Sequence, residues 1–448
     1  MNDKQDLTTG TISKKLIAYA LPLLAANLLQ SFYSLMDMLV VGRIVGETGL
    51  AAISNASMLS FIINSVCIGI TMGGTVLAAQ YKGAKDKHGQ IEIIGTLFTV
   101  AFIAEVLVTA AGLAAYRPLF RLLHVPAPAM EDACGYMKII CYGTIFVFGY
   151  NAVCSIMKGL GDSKSPLYFV AVATVINLVL DLLLVGPFGM GTEGAACATI
   201  FSQGISFVIS VFHLKQKDSV FDFRLSHFSV KTDKLAAILK VGLPTAVQMA
   251  SVNLSYLLIT GMLNQFGVSV AAASGVGLKI NTFAGMPCWA IGQAVTAMAG
   301  QNMGAGNIKR VQKTTSTGLC LNLLITLIMV LLVQIFGKQL ILLFTPASPE
   351  VLEEGILYLR ICCSVNSLVY AVMYTFDSFA IGIGSANIAM FNALLDAGIV
   401  RLPVSWLLAF PLGLGYPGIY IGQALSPFLP AAAGLLYFKP ANKKSIVN

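Results

Sequence analysis

Charged residues are scarce in this chain of 448 residues: Asp, Glu, Lys and Arg make up only 11% of it, against 57% hydrophobic residues. Such a composition excludes an ordinary soluble protein. The chain also has only four histidines, and they lie at scattered spacing in or beside predicted loops. No catalytic or metal-binding constellation of histidines is therefore predicted.

Cysteine pairing motifs are absent as well. The nine cysteines fall within or at the edges of apolar runs, and none belongs to a Cys-x-x-Cys pair. An odd number in that placement favours small packing residues over a disulfide scaffold or a metal site. A cleavable signal peptide is not expected, because the first apolar run is too long and follows a polar start without an Ala-x-Ala-like site.

What the chain has instead is a series of apolar stretches, each of about 20 to 30 residues and long enough to cross a bilayer as a helix. They predict an all-α polytopic membrane protein. We predict twelve transmembrane helices, at 14–42, 50–80, 91–115, 134–157, 166–187, 194–214, 236–265, 270–300, 315–345, 355–382, 387–411 and 417–438.

The distribution of Lys and Arg predicts the orientation. With a cytoplasmic N-terminus, the inside segments hold 20 of these residues and the outside loops hold 4. Both termini are therefore predicted to be cytoplasmic. The net charge of +8 is mostly this bias, so no nucleic-acid partner is predicted.

An internal duplication organises the chain. Four motifs recur at offsets of 222, 221, 223 and 224: Ala20-Leu21-Pro22 as Gly242-Leu243-Pro244, Gln80 with Gly83-Ala84 as Gln301 with Gly304-Ala305, Gly159-x-Gly161 as Gly382-x-Gly384, and the Pro-x-Gly-x-Gly motif from Pro187 as that from Pro411. Each half contains six predicted helices, so the halves are parallel repeats related by an axis along the membrane normal.

This plan predicts an N-terminal lobe of residues 1–214, a cytoplasmic linker of residues 215–235 and a C-terminal lobe of residues 236–448. In such folds the substrate site lies between the halves, which rock about it to give alternating access. Transport is the function that the plan favours.

Two carboxylates stand within apolar spans, Asp37 in the first and Asp181 in the fifth. An ionised carboxylate in hydrocarbon is costly, so such residues usually face a cavity and bind an ion or a proton. Counting from the predicted outer helix ends places Asp37, Asp181 and Thr199 at one level, about 8 Å inside the outer boundary. Asn177 shares a helix face with Asp181 at i and i+4.

Two carboxylates, an amide oxygen and a hydroxyl group form a hard oxygen cluster. It suits either Na⁺ or carboxylates that share and release protons. The alternative is that neighbouring donors simply satisfy both acids. The duplication does not extend to this cluster, since the repeat offsets match Asp37 with Leu258 or Ile259 and match Asn177, Asp181 and Thr199 with Arg401, Ser405 and Gln423.

Pro22 lies fifteen residues before Asp37 on the same predicted helix. A proline there allows a kink. The kink is either a bending point biased by ion occupancy at Asp37, or a static feature, since Pro244 repeats it. Candidates to line a substrate chamber are Gln30, Tyr33, Asn151 and Gln248.

Further charges lie within predicted spans. Glu105 in the third span is a relay, a cavity wall or a paired group. Lys279, Asp377, Asp396 and Arg401 lie in the C-terminal half. There, opposite charges either neutralise one another or line the cavity and select substrate charge.

Three stretches of sequence resemble the multidrug and toxic compound extrusion (MATE) transporters: GTISKKLIAYALPLLAANLLQSFYSLMDMLVVGRIVGETGLAAIS, GGTVLAAQYKGAKD and KGLGDSKSP. The resemblance covers nearly the whole chain. It implies the MATE fold, with two V-shaped lobes around a central cavity. It further implies a secondary active antiporter, not an enzyme, that exports amphipathic, cationic organic compounds such as drugs and toxins in exchange for H⁺ or Na⁺.

Asp on helix 1 with Asn-x-x-x-Asp on helix 5 resembles the DinF-like branch of this family. The resemblance implies that Asp37, Asn177, Asp181 and Thr199 form the cation site and that Pro22 is the bending point. Helix 7 lacks the acid of the NorM-like branch. We expect a monomer that lies in the cell (inner) membrane, surrounded by lipid. We expect no cofactor besides the coupling ion.

Two alternatives remain at this stage. A lipid-linked oligosaccharide flippase of the same superfamily needs a cavity rich in Arg or Lys, to which only Lys279, Arg360 and Arg401 could contribute in the C-terminal half. An intramembrane enzyme with paired Asp residues needs a partner motif such as GxGD or DDxxD. Gly-x-Gly-Asp at 159–162 lies at a predicted membrane edge without such a partner.

Overall fold

The computed structural model describes residues 5–122, 125–216, 221–224, 227–344 and 349–441, and every regular element within these ranges is helical. The helices of the first half are α1 (Ile12–Ile44), α2 (Glu47–Gly83), α3 (Lys87–Leu122), α4 (Ala127–Gly159), α5 (Lys164–Val185) and α6 (Gly191–Gln216).

The second half repeats this order with more interruptions. Its helices are α7 (Thr232–Asn264), α8 (Val268–Gly304), α9 (Ile308–Phe344), α10 (Pro349–Cys362), α11 (Val365–Gly382), α12 (Ala386–Leu394), α13 (Leu402–Ala409), α14 (Tyr416–Leu425) and α15 (Phe428–Ala441). Helices α10 and α11 meet at a bend of 46°. A π-helical turn, Leu395–Arg401, joins α12 to α13.

Each predicted span overlaps helical structure, and the last three spans each consist of two helices: α10 with α11, α12 with α13, and α14 with α15. Ten stretches are long and apolar enough to cross a membrane, and the bent pair α10 and α11 forms an eleventh. Helix α8 occupies the remaining predicted span. It is 37 residues long and carries Lys279 and several amide side chains.

The described residues form two compact units. The first contains residues 5–6 and Ala25–Ala246, and the second contains Leu7–Leu24 with residues 247–441. In the first unit α2 packs closely against α4, which also contacts α3 and α6. In the second unit α8 packs against α9, α10 and α11. The predicted lobe boundaries at residues 214 and 236 concern the membrane repeats and stay a prediction.

The recurring Gly-x-Gly motif has the same structural cause in both halves. Gly161 and Gly384 each have a φ of +89°, which favours glycine. A Cβ atom on Gly159 would lie 2.5 Å from the Thr75 carbonyl oxygen, and one on Gly382 would lie 2.7 Å from the Thr296 carbonyl oxygen. The motif therefore ends a helix and allows close packing at the same point.

We expect Gly382→Ala to lower the melting temperature of the detergent-purified protein by several degrees. The new methyl group would meet the backbone of α8, and such overpacking costs about 1–3 kcal/mol. The control is Gly275→Ala in the same unit, where a Cβ atom would meet nothing within 4 Å. Equal melting temperatures for the two variants would show that the helices separate at no cost.

Candidate functional site

Four polar side chains from three helices of the first unit come together in the structure. Asp37 lies on α1, Asn177 and Asp181 lie on α5, and Thr199 lies on α6. The two acids and the amide are buried, with exposed fractions of 7% for Asp37, 1% for Asn177 and 0% for Asp181. The residues that the sequence placed at one depth are thus neighbours in space.

The side chains of this cluster interact with one another. The carboxyl groups of Asp37 and Asp181 lie within interaction range of each other, and Asn177 interacts with Asp181. A fifth residue, Tyr33 on α1, joins them, because its hydroxyl group approaches Thr199 and lies near both acids. Tyr33 was expected to line a substrate chamber, and the structure shows it beside the acids.

The polar atoms of the cluster are poorly satisfied by the protein. Seven buried atoms form no hydrogen bond of normal geometry with any described residue: Tyr33 Oη, Asp37 Oδ1, Asn177 Oδ1 and Nδ2, Asp181 Oδ1 and Oδ2, and Thr199 Oγ1. Most buried polar groups in proteins have a partner, since an unsatisfied one is costly. The arrangement therefore leaves oxygen atoms available to a ligand.

The chemistry of these donors fits a small cation. Carboxylate, amide and hydroxyl oxygens are hard ligands of the kind that bind alkali and alkaline-earth cations. Two neighbouring carboxylates also favour taking up one proton, because two like charges at short range repel. Na⁺ and H⁺ are therefore both compatible with the cluster.

Local structure fixes the helices that supply the cluster. Asn177 and Asp181 are one turn apart on α5 and face the same side. Helix α6 begins after a tight connection in which Gly189 and Gly191 have φ values of +63° and +56°. The Ser206 hydroxyl group then donates a hydrogen bond to the Phe169 carbonyl oxygen at 2.7 Å, which ties α6 to α5.

Two further residues lie beside the cluster and escaped the sequence analysis. Tyr136 on α4 lies near Asp37, Asp181 and Tyr33. Gln203, one turn beyond Thr199 on α6, has a buried Oε1 atom without a hydrogen-bond partner among the described residues. The i, i+4 spacing from Thr199 was a usable signal for Gln203, whereas nothing in the sequence relates Tyr136 to the acids.

The other predicted site residues have the following local surroundings. Helix α1 runs through Pro22 without interruption. The Gln30 side chain is exposed and the Gln248 side chain is half-buried. The Asn151 amide donates to the Val147 carbonyl oxygen of its own helix at 2.8 Å. Their assignment to a substrate chamber, and that of Pro22 to bending, stay predictions.

Glu105, another buried acid of the first unit, has protein partners. The Thr109 hydroxyl group donates to Glu105 Oε1 at 3.0 Å, and the Thr144 hydroxyl group lies 3.3 Å from the same atom. Glu105 is therefore a satisfied carboxyl group, unlike Asp37 and Asp181. In the second unit, the Asn392 amide donates to Asp377 Oδ1 at 2.6 Å.

Two stretches of the chain, residues 22–183 and 244–407, each match the MatE family model. The chain is 30% identical over 445 residues to the probable multidrug resistance protein YpnP of Bacillus subtilis (strain 168), covering 98% of each protein. It is 26% identical over 437 residues to the probable multidrug resistance protein NorM of Thermotoga maritima, covering 95% of this chain and 92% of that protein.

The fold also matches solved structures. A MOP superfamily transporter from Pyrococcus furiosus superposes with a TM-score of 0.93 at 22% sequence identity, covering 99% of this chain and 100% of that one. The predicted all-α fold of twelve transmembrane helices is confirmed by this similarity.

We expect Asp181→Asn to raise the melting temperature at pH 8 in the absence of Na⁺. The substitution preserves the shape of the side chain and removes one of two neighbouring buried carboxylates, whose like charges repel and which the described residues satisfy poorly. Thermal unfolding of the detergent-purified protein measures the effect.

The matched control is Asp162→Asn. Asp162 is also buried, but its Oδ1 atom accepts hydrogen bonds from the backbone N–H groups of Lys164 and Ser165 at 3.0 and 3.1 Å. This substitution should lower the melting temperature. A decrease of similar size in Asp181→Asn would mean that the Asp181 carboxylate is stabilised by the protein.

Proposed function

Because the chain belongs to the MatE family of membrane transporters, we propose that it is a cation-driven antiporter that exports amphipathic, cationic organic compounds. The observation that carries this proposal is the pair of buried carboxylates, Asp37 and Asp181. Three of their four oxygens, Asp37 Oδ1 and both of Asp181, have no hydrogen-bond partner of normal geometry among the described residues. A transporter of this kind needs a site that binds and releases an ion in every cycle. The names of the relatives, which describe multidrug resistance, support export of varied organic molecules.

In the proposed mechanism, H⁺ or Na⁺ enters from outside and binds at Asp37 and Asp181, with Asn177 and Thr199 supplying further oxygen atoms. Binding neutralises the repulsion between the acids and favours the conformation in which substrate is released. Substrate binding favours the other conformation. The two ligands are coupled through one conformational equilibrium, so each lowers the affinity for the other.

Helix α1 is suited to transmit this coupling. Its first part, up to Leu24, belongs to the second unit, and its remainder, which carries Tyr33 and Asp37, belongs to the first. Pro22 lies close to this change and cannot donate a backbone hydrogen bond within the helix. Ion occupancy at Asp37 would thus bias the shape of α1 near Pro22.

The proposed setting follows from the charge distribution. The excess of Lys and Arg in alternate connections supports cytoplasmic termini and an inner-membrane location. We propose that a single chain is the transporting unit, because all the residues of the cation site come from one chain.

The flippase alternative finds less support. A pyrophosphate needs unpaired cationic groups, but the buried Arg401 is already paired with Asp396 at 2.6 Å. We therefore favour the efflux antiporter.

Proteoliposomes loaded with a fluorescent cationic dye test the proposal. With an imposed gradient of H⁺ or of Na⁺, the wild type should drive dye movement, and the effective gradient identifies the ion. Asp37→Asn and Asp181→Asn should each reduce gradient-driven transport at least about tenfold, as expected when one required ion ligand is lost.

The matched control is Glu105→Gln, which alters the hydrogen-bonded buried acid of the same unit and should retain dye transport. Undiminished transport by Asp37→Asn and Asp181→Asn would exclude the cluster as the coupling site. Dye movement of equal rate in the absence of any imposed H⁺ or Na⁺ gradient would count against antiport.

A further inference from the structure

The second half of the chain contains a buried arginine that the proposed transport cycle does not use. Arg401 has an exposed fraction of 3%, and each of its three guanidinium nitrogens has a partner. Nη2 lies 2.6 Å from Asp396 Oδ2, Nη1 donates to the Ser255 hydroxyl group at 3.0 Å, and Nε lies 3.4 Å from the Ser426 hydroxyl group. The guanidinium group also stacks on Tyr256, 4.3 Å from the ring centroid.

This contact depends on the π-helical turn. In a π-helix the backbone bonds residue i to residue i+5, so Asp396 and Arg401 lie one above the other. In a regular α-helix, residues five apart point about 140° away from each other. Without the turn, the two side chains would not meet.

The turn is explained by one extra residue in the second repeat. The offset between repeats is 223 at Gly161 and Gly384, but 224 at Pro187 and Pro411. The two family matches show the same drift, since they begin 222 residues apart and end 224 apart. The π turn at 395–401 lies inside this interval, and its wider turn accommodates the added residue.

Arg401 lies at the repeat-related position of the cation site. At the offset of 224 it corresponds to Asn177, and at the offset of 222 its partner Ser255 corresponds to Tyr33. The counterparts of Asp37 and Asp181 are Ile259 and Ser405, and the Ser405 hydroxyl group donates to the Ile419 carbonyl oxygen at 3.2 Å.

The space beside Tyr256, on which Arg401 stacks, is small. A cavity of about 30 Å³ is lined in part by Tyr256, Ile259 and Gln423. Ile259 and Gln423 are the counterparts of Asp37 and Thr199. The volume holds about one water molecule. The counterpart of the cation site thus exists in the second half, without the two acids.

We propose that the Arg401 guanidinium group is a built-in cation that fills the second half's counterpart of the ion site and closes this half to ion exchange. Asp396 supplies the only carboxylate in contact with it among the described residues. The consequence for transport, exchange of ions in the first half alone, rests on the proposed function. The presence of the built-in cation does not rest on the proposed function.

Removal of Arg401 should open this site to an added cation. Arg401→Ala would leave Asp396 buried without its partner, close to the second acid Asp377. Loss of one member of a buried ion pair is strongly destabilising. Guanidinium fits the vacated space and restores the lost charge.

The test is thermal unfolding of full-length Arg401→Ala in detergent, with millimolar guanidinium, Na⁺ or choline as the chloride salt. We expect guanidinium to raise the melting temperature by about 2 °C or more relative to choline. Stabilisation by Na⁺ beyond choline would equally show an opened site. The wild type and Asp396→Asn/Arg401→Met should not respond. An equal response of Arg401→Ala and the wild type would overturn the proposal.

The double variant also serves if Arg401→Ala yields no folded protein. Because it removes both charges and keeps a side chain of similar length, Asp396→Asn/Arg401→Met should be recovered in folded form. Failure to recover more folded double variant than single variant would overturn the proposal.

A variant of the first half tests the built-in cation separately from the proposed cation site. Asp37→Asn/Arg401→Ala should keep its response to guanidinium, since the two sites are separate. Dye transport unaffected by Asp37→Asn alone would refute the proposed cation site and leave the built-in cation standing. Loss of the guanidinium response on Asp37→Asn would refute the independence of the second site.

Discussion

The rest of this structure depends on one constraint, the free-energy cost of holding two carboxylates in a buried, low-dielectric environment. Asp37 and Asp181 are neighbours, and among the described residues neither has backbone N–H partners like those of Asp162 or hydroxyl partners like those of Glu105. A protein selected only for stability would replace such a pair with apolar residues. A transporter benefits from it, because the free energy released when a cation neutralises the pair is available to shift a conformational equilibrium.

The two halves solve the same electrostatic problem in different ways. Under the proposed function, the positive charge in the first half comes from outside and leaves again in each cycle. In the second half the positive charge belongs to Arg401, which is tied by Asp396, Ser255 and Tyr256 and cannot leave. One inserted residue, accommodated as a π turn, brings the pair into contact. Together, the two proposals give a duplicated scaffold with one exchangeable site and one permanently filled site.

Much of this arrangement can be predicted from the sequence. Hydropathy predicts the membrane spans, and counting residues from the end of a span predicts the depth of each residue in the membrane. That reasoning brought Asp37, Asp181 and Thr199 to one level, and the i, i+4 rule added Asn177. The same reasoning does not predict Tyr136, because the depth of a residue along α4 does not show which side of the helix it faces. It also does not decide whether the charged residues of the second half neutralise one another or line the cavity. The pairing of Asp396 with Arg401 contradicts α-helical geometry and becomes visible only with the π turn.

The central claim, that the coupling ion binds at the Asp37 and Asp181 pair, is tested most directly by infrared difference spectroscopy of carboxyl groups in the reconstituted protein. The wild type should show a protonated carboxyl band that decreases on raising the pH or adding Na⁺. The band should be absent from Asp37→Asn/Asp181→Asn and retained in Asp377→Asn. A band that persists in the double variant and disappears in Asp377→Asn would place the titrating group in the second half and contradict the account.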